Sequence, residues 1–183
     1  MKISEILTKY AWDGPMGHGT DKNRCKKHGH CYGRLYDHLF SPFKDKKIDL
    51  VEIGIEHGAS IVSWREYFTK ANIIGIDIKD MVDDKTDGVE YIIDDVKNVK
   101  FDKAFDIVID DGSHRLSDVV YVVKNFKLKE GGIMIIEDCQ RPQKWFDRIK
   151  ENTNYTIEQI DLRDMYGQHD DYLIVLRNYG YKL

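Results

Sequence analysis

From residue 48 onward, short apolar runs alternate with segments in which apolar residues recur at helical spacing. Runs that are apolar on both faces and are separated by helices predict an α/β domain with a mainly parallel sheet. Five runs come before residue 140, and two more close the sequence around a polar loop. In chain order they are IDLVEIG, NIIGIDI, VEYII, FDIVID, GGIMIIED, YTIEQIDL and DYLIVLRN.

Three helices are predicted between these runs, because apolar residues recur every three or four positions in SIVSWREYFTK, in the segment 116–126 and in RPQKWFDRIKEN. Pro142 stands near the start of the last segment, where a helix accepts proline in its first turn. The connections after the second and third runs have room for one helical turn at most. Reduced helices there suggest a sheet face or edge that a second copy of the chain would cover, which predicts a homo-oligomer.

The first residues, MKISEILTKYAW, place apolar side chains at helical spacing between charged ones, which predicts an amphipathic helix and not a signal peptide. The sequence has no internal repeat or linker, and 183 residues suffice for one hydrophobic core. We therefore expect a single domain over 1–183. It divides into an N-terminal helix and lid segment, 1–47, and an α/β core, 48–183.

Composition excludes several classes of partner. The formal net charge of -4 offers no electrostatic footprint for a nucleic-acid backbone. No apolar run approaches the roughly 20 residues that cross a bilayer, so no membrane partner is expected.

Cys25, Cys31 and Cys139 cannot all pair within the chain, which indicates a reducing, cytoplasmic location.

The segment VEIGIEHGAS follows the first strand, where open α/β sheets bind ligands. Gly54 and Gly58 lack the third glycine of the dinucleotide fingerprint. Glu52 and Glu56 would repel a pyrophosphate, so a positively charged ligand without phosphates fits better. Two glycines alone are a weak signal and also occur in ordinary turns.

Acidic residues end the second and third strands. Asp77 lies about 20 residues past the glycines, at the offset where an acid accepts both ribose hydroxyls in nucleotide-binding folds. Asp94 or Asp95 would reach an adenine amino group from the third strand. These positions predict a ligand built on adenosine.

The glycine segment, GIDI and the two aspartates after the third strand resemble the class I S-adenosylmethionine-dependent methyltransferases. The resemblance covers residues 48–178 and implies the sheet order 3-2-1-4-5-7-6, with strand 7 antiparallel. It also implies a set of cofactor-binding residues in the core. These are Glu52, Gly54, Gly58, Ser60, Asp77, Ile78, Asp94, Asp95 and Asp110.

In that order strands 4 and 5 are neighbours, roughly 4.8 Å apart. IDDGSH and IIEDCQ would then place Asp111, Glu137 and Asp138 side by side. Carboxylates so close raise one another's pKa unless a cation neutralises them, and hard oxygen ligands suit Mg²⁺. Asp110 is a substitute ligand, although strand alternation sends it to the opposite face. The alternative is that these acids cap helices or lie in solvent.

His114 lies three residues beyond Asp111, across a glycine turn. A hydroxyl bound to a divalent cation becomes more acidic, and a nearby imidazole can take its proton. Methyl transfer to oxygen needs that alkoxide character, so we expect His114 to be a catalytic base. The alternative is a surface histidine at a helix start.

The N-terminal stretch GHGTDKNRCKKHGHCYGRLYDHLF resembles the macrocin and mycinamicin type of sugar O-methyltransferases. Matching positions are Gly19, Thr20, Asp21, Lys22, His30, Tyr32, Tyr36 and Phe40. The resemblance implies that Asp111, Glu137 and Asp138 hold Mg²⁺ and that His114 is the base. We add Thr20, Lys22 and Tyr32 to the expected cofactor site, and we expect His30 and Tyr32 to be part of a lid over the cofactor. Those enzymes are longer and carry oligomerisation and substrate-covering segments that have no counterpart here.

Cys25, His28, His30 and Cys31 are also four potential zinc ligands within seven residues. Structural zinc draws its ligand pairs from two separated turns, so zinc is the weaker interpretation. His169, between the last two strands, would border an acceptor pocket.

Together these features predict a cytoplasmic O-methyltransferase that uses S-adenosylmethionine and Mg²⁺ on a hydroxyl of a sugar or glycosylated small molecule. Three alternatives remain open. The chain could methylate a catechol or another planar diol, bind S-adenosylmethionine without catalysis, or act as a Rossmann-type oxidoreductase.

Overall fold

A computed structural model of the chain describes residues 1–11, 19–25, 29–166 and 168–180. Within these residues, none of the helices combines the length and the apolar character needed to cross a bilayer. All seven predicted strands are present and form one sheet. They are β1 (Asp49–Ile53), β2 (Asn72–Asp77), β3 (Val89–Ile93), β4 (Phe105–Asp110), β5 (Leu128–Ile136), β6 (Thr156–Asp161) and β7 (Tyr172–Arg177).

The strand order is β3-β2-β1-β4-β5-β7-β6, as the resemblance implied. The pairs from β3 to β5 are parallel. β7 is antiparallel to both of its neighbours, β5 and β6. The predicted fold class is therefore confirmed, including the antiparallel seventh strand.

Helices cover both faces of the sheet. They are α1 (Ile3–Lys9), α2 (Gly33–Phe40), α3 (Ala59–Tyr67), α4 (Leu116–Asn125), α5 (Pro142–Lys150) and the short α6 (Arg163–Tyr166). The connection 78–88 and the connection 94–104 contain no helix, so the predicted reduction after β2 and β3 is confirmed. Both connections are described in full. On that side Ile78 is 66% exposed and Ile93 is 39% exposed.

The first face of the sheet is covered by α1, α2 and α3. Tyr36 and Phe40 of α2 contact Trp64 of α3 edge to face, and Phe40 also contacts Phe68. All four rings are fully buried. The lid expected within residues 1–47 contains no predicted helix at this position, whereas the aromatic contacts make α2 part of the core.

The second face is covered by α4 and α5. The buried side chains that pack on it are Val122 of α4, Phe126 directly after α4, and Trp145 and Ile149 of α5. These two helices follow β4 and β5, the strands whose ends carry the acidic residues. The packing therefore fixes both strand ends from this side.

Cys25 and Cys31 form a disulfide, and Cys139 is a buried free thiol. The odd number of cysteines required at least one free thiol, but it did not show which two would pair. A disulfide removes both thiolates as zinc ligands, and His28 lies outside the described residues. The structure therefore gives no support to the zinc interpretation.

Candidate active site

A cavity of about 650 Å³ opens at the carboxyl ends of β1, β2, β3 and β4. Six of the predicted cofactor residues line it, together with three of the residues predicted for metal binding and catalysis. The first group is Gly54, Asp77, Ile78, Asp94, Asp95 and Asp110, and the second is Asp111, His114 and Asp138.

Gly54 makes the turn after β1 with a φ of +82°. A Cβ atom at this position would lie 2.1 Å from the backbone oxygen of Asp111. Only glycine allows the two loops to approach so closely. Gly58 also has a φ of +82° and precedes α3, but it does not line the cavity.

Asp77 is the last residue of β2 and lies on the cavity wall. Its Oδ2 accepts hydrogen bonds from the backbone N–H groups of Ile55, at 3.0 Å, and Glu56, at 2.9 Å. Its Oδ1 accepts one from the N–H of Lys79 at 3.1 Å. Asp77 therefore holds the glycine turn in place as well as lining the cavity.

Asp94 and Asp95 follow β3 directly. Oδ1 of Asp94 accepts hydrogen bonds from the N–H of Asp95 and from the Asn98 amide, and Oδ1 of Asp95 accepts one from the N–H of Lys97. These bonds fix both side chains at the rim. The exposed Ile78 offers an apolar surface at the same end of the cavity.

Asp110 presents a buried carboxylate oxygen without a partner. Its Oδ1 accepts a hydrogen bond from the N–H of Gly112 at 3.3 Å, whereas its Oδ2 is buried and has no hydrogen-bond partner. Burial raises the pKa of Asp110 to about 7. Because buried polar groups are almost always hydrogen-bonded, this oxygen is a candidate acceptor for a donor from a ligand.

The other six predicted cofactor residues lie outside the cavity lining; they are Glu52, Gly58, Ser60, Thr20, Lys22 and Tyr32. Oε2 of Glu52 accepts hydrogen bonds from Ser60 Oγ at 2.7 Å and Trp64 Nε1 at 2.9 Å. Burial raises the pKa of Glu52 to about 7. Thr20 Oγ1 accepts a bond from the backbone N–H of Lys22.

The ends of β4 and β5 bring three potential ligands together. One atom each from Asp111, His114 and Asp138 lies within 4.8 Å of the other two. Parallel pairing of Asp110 with Ile136 aligns the two strand ends. β5 ends at Ile136, and a left-handed φ of 53° at Asp138 then turns its side chain toward Asp111. Two consecutive acids can therefore have different environments.

Lys22 supplies a positive charge to this group from the N-terminal segment. Its Nζ lies 2.5 Å from Asp111 Oδ2, 2.8 Å from Glu137 Oε2 and 3.5 Å from Glu52 Oε1. Burial by itself would lower the pKa of Lys22, but the neighbouring carboxylates raise it well above the usual value. The side chain is 2% exposed and does not line the cavity, so it acts as an internal cation.

Glu137 forms its polar contacts with Lys22 and with Tyr36 of α2. Its Oε2 binds Lys22, and its Oε1 accepts a short hydrogen bond from the hydroxyl of Tyr36. The side chain is 1% exposed and does not line the cavity. The structure does not bring Glu137 into the group formed by Asp111, His114 and Asp138. Burial raises its pKa well above the usual range.

Asp138 receives two partners from the N-terminal segment. Tyr32 donates its hydroxyl hydrogen to Asp138 Oδ1 at 2.6 Å, and His30 Nε2 lies 3.5 Å from Oδ2. Burial raises the pKa of Asp138 to about 6. Tyr32 is fully buried behind Asp138 and does not line the cavity.

These supporting roles are not visible in the sequence. Lys22 and Tyr32 were expected at the cofactor, and Tyr36 matched a motif. The hydrogen bonds to Asp111, Asp138 and Glu137 span more than 80 positions of the chain. Asp171, which binds His30, carried no signal at all.

Comparison with known proteins supports both the fold and the sequence resemblance. A 2'-O-methyltransferase that acts on 8-demethyl-8-alpha-L-rhamnosyl tetracenomycin-C, from Streptomyces olivaceus, is 32% identical over 141 residues. The alignment covers 68% of this chain and 36% of that enzyme. A mycinamicin VI 2''-O-methyltransferase from Micromonospora griseorubida is 30% identical over 125 residues, which are 60% of this chain and 31% of that one. No protein-family model matches the chain.

Among solved structures, the MycE methyltransferase of the mycinamycin biosynthetic pathway, in complex with Mg and SAH, superposes with a TM-score of 0.69 at 20% identity. The superposition covers 97% of this chain and 54% of MycE. The chain thus spans only about a third of the full length of these two curated relatives, 36% and 31%. The resemblance found in the sequence is confirmed: the chain has the class I S-adenosylmethionine-dependent methyltransferase fold and is similar in sequence to sugar O-methyltransferases of the macrocin and mycinamicin type.

Proposed function

We propose that this protein is an O-methyltransferase that uses S-adenosylmethionine and Mg²⁺ on a hydroxyl of a sugar or glycosylated small molecule. One observation carries the proposal. Asp111, His114 and Asp138 converge within 4.8 Å at the wall of a cavity that also contains the residues expected to bind the cofactor.

The cavity fits a cationic nucleoside. Its volume of about 650 Å³ lies in the range of small-molecule sites. The unpartnered Oδ2 of Asp110 would accept the ammonium group of the cofactor, and Asp94 or Asp95 the adenine amino group. S-adenosylmethionine supplies the methyl group on a positively charged sulfur, which the many carboxylates of the wall would favour.

The ligand group also fits a divalent cation. Lys22 offers one positive charge to Asp111, Glu137 and Glu52, so the cluster keeps a negative excess when its carboxylates are ionised. Asp111 and Asp138 would supply the oxygen ligands that Mg²⁺ prefers. When bound, Mg²⁺ increases the acidity of a hydroxyl that coordinates it. Glu137 is held by Tyr36 and Lys22 and would support the site from behind.

His114 is the residue that we assign as the base. Its side chain is 30% exposed, and its Nε2 lies 4.0 Å from Asp111 Oδ1. The left-handed φ of 50° turns His114 back toward the ends of the strands. From this position the imidazole would remove the proton of the acceptor hydroxyl, while Asp111 and Asp138 keep the acceptor beside the cofactor.

The acceptor class rests on the relatives. The two enzymes reported above act on a rhamnosyl tetracenomycin and on mycinamicin VI, according to their names. Both acceptors are glycosylated small molecules. Because the alignments cover only about a third of each enzyme, we propose for this chain the same class of acceptor and no individual compound.

A methyl-transfer assay tests the proposal. The protein would be incubated with S-adenosylmethionine labelled in its methyl group and with separate panels of glycosides and catechols, followed by mass spectrometry of the products. We expect label on a glycoside with Mg²⁺ and none after chelation. Label on catechols alone would support the catechol alternative. Cofactor binding without transfer to any acceptor would support a binding module.

A further inference from the structure

His30 lies between carboxylates that belong to different parts of the chain. Its Nδ1 is 2.7 Å from Oδ1 of Asp171, whereas its Nε2 is 3.5 Å from Oδ2 of Asp138 and 3.8 Å from Oδ2 of Asp21. His30 is 8% exposed and Asp171 is fully buried. Because a carboxylate only accepts hydrogen bonds, Nδ1 carries the hydrogen of the contact with Asp171, and the imidazolium form of the ring also has a hydrogen on Nε2 to donate to Asp138.

Asp171 is itself held by the connection between β6 and β7. Its Oδ2 accepts a hydrogen bond from the N–H of Gln168 at 3.2 Å, and its backbone oxygen accepts one from the N–H of Leu162 at 2.8 Å. The next residue, Tyr172, begins β7. The Asp171 carboxylate is therefore a fixed point that orients the imidazole of His30.

Tyr32 completes the support of Asp138. The ring of His30 stacks on the ring of Tyr32 with a centroid distance of 4.8 Å. The Tyr32 hydroxyl binds Oδ1 of Asp138, the oxygen that His30 does not face. Each carboxylate oxygen of Asp138 thus has a polar neighbour from residues 30–32. Stacking of the two rings fixes the positions of these neighbours relative to each other.

We propose that His30 and Asp171 are positioning residues that orient Asp138 as a metal ligand and connect the β6–β7 loop to the metal site. This inference rests on the proposed function. Groups that hydrogen-bond to metal ligands fix the geometry of those ligands, and their removal typically costs about 10- to 100-fold in metal affinity. A residue on the β6–β7 connection would in this way control the affinity of a site built at the ends of β4 and β5.

Binding of Mn²⁺ as a probe tests the inference without any acceptor. Free Mn²⁺ is measured by electron paramagnetic resonance during a titration of the full chain, and circular dichroism shows whether each variant is folded. His30→Phe keeps a ring to stack on Tyr32 and removes both nitrogens. We expect it to weaken Mn²⁺ binding about 10- to 100-fold.

Further variants separate positioning from a general loss of structure. His30→Gln keeps a donor near the position of Nε2 and should retain more affinity than His30→Phe. Asp171→Asn removes the charge that orients the ring and should weaken binding in the same direction, which keeps the test valid if His30→Phe does not fold. His38→Phe, an exposed histidine on α2, is the matched control and should bind as the wild type does.

The outcomes are distinct. Wild-type affinity in folded His30→Phe and Asp171→Asn would overturn the inference and leave the metal site in place. A lower melting temperature with unchanged Mn²⁺ affinity would also overturn it, because it indicates a structural role alone. Failure of the wild type to bind Mn²⁺ would overturn the proposed metal site and the inference together.

Discussion

The ammonium group of Lys22 lies 2.5 Å from Oδ2 of Asp111, although the two residues are 89 positions apart in the chain. The same ammonium contacts Glu137 and Glu52. One lysine from the N-terminal segment therefore connects the ends of β1, β4 and β5. It explains how several carboxylates can lie at adjoining strand ends before any metal binds.

Removing this cation should destabilise the fold. Lys22→Met leaves three neighbouring carboxylates without their buried partner, and breaking a buried ion pair costs about 3–5 kcal/mol. We expect a loss of that size in the free energy of unfolding, measured by urea denaturation without Mg²⁺. The double variant Lys22→Met/Glu137→Gln removes both charges of one pair and should recover part of the loss. A single variant as stable as the wild type would show that Lys22 is not the counter-ion.

Asp110 should make stability depend on pH. Burial raises its pKa to about 7, whereas in the unfolded chain an aspartate titrates near about 3.9. Between these values the folded protein holds a proton that the unfolded chain has lost. The contribution of Asp110 is therefore complete below the unfolded value and is lost as the pH rises through about 7.

The free energy of unfolding, measured in urea at pH 5 and pH 8 without metal, should fall with rising pH. Asp110→Asn should reduce that fall by about 2–4 kcal/mol, since one pKa unit corresponds to about 1.4 kcal/mol. Part of the pH dependence of stability should remain in Asp110→Asn, because burial also raises the pKa of Glu52 to about 7. Asp84→Asn, at an exposed position, is the control. Its free energy of unfolding should fall between pH 5 and pH 8 by the same amount as that of the wild type. An identical fall in wild type and Asp110→Asn would contradict the environment assigned to Asp110.

Much of this architecture could be predicted from the sequence. The alternation of apolar runs and helical spacing located every strand, and the family resemblance supplied their order. The two acidic strand ends were expected to meet because parallel neighbours end at the same edge. The structure confirms the strand order and brings Asp111 and Asp138 together.

The supporting contacts could not be predicted. α2 was missed because its buried face packs on Trp64 of α3 and on Phe68 directly after α3, and the polar segment before it suggested a loop. The different positions of Glu137 and Asp138 depend on a left-handed backbone at Asp138, which no local pattern indicates. Asp171 joins His30 across 141 positions, so only the folded chain shows the pair.

Asp77 should influence both the cofactor and the glycine turn. Asp77→Ala removes a hydrogen-bonding position on the cavity wall and the acceptor for two backbone N–H groups of the turn. We expect S-adenosylhomocysteine to bind about tenfold or more weakly by calorimetry, since bonds to a charged acceptor contribute about 1.5–3 kcal/mol. The melting temperature should fall as well. Asp84→Ala, an exposed acid nearby, should change neither, and unaltered calorimetry of Asp77→Ala would rule out its placement in the cofactor site.

His114 has two conceivable roles that one variant distinguishes. His114→Asn removes the imidazole and keeps a residue type that tolerates the left-handed backbone. As a base, His114 should be needed for turnover, which would drop about 10²- to 10⁴-fold, while Mn²⁺ affinity stays near the wild-type value. The measurements are the labelled-methyl assay and the Mn²⁺ titration. A parallel loss of Mn²⁺ affinity would instead make His114 a metal ligand.

The most direct test of the central claim is the melting temperature with and without millimolar Mg²⁺, in the presence of S-adenosylhomocysteine, for wild type and Asp111→Asn. Because Asp111→Asn also frees Lys22, the comparison uses the Mg²⁺-dependent shift and not the absolute value. Asp118→Asn, which alters another acid of the same cavity outside the ligand group, is the control. We predict a rise of about 3–6 °C in the wild type and the control at ten times the dissociation constant, and none in Asp111→Asn. No rise in the wild type, or an equal rise in Asp111→Asn, would contradict a metal site at the ends of β4 and β5.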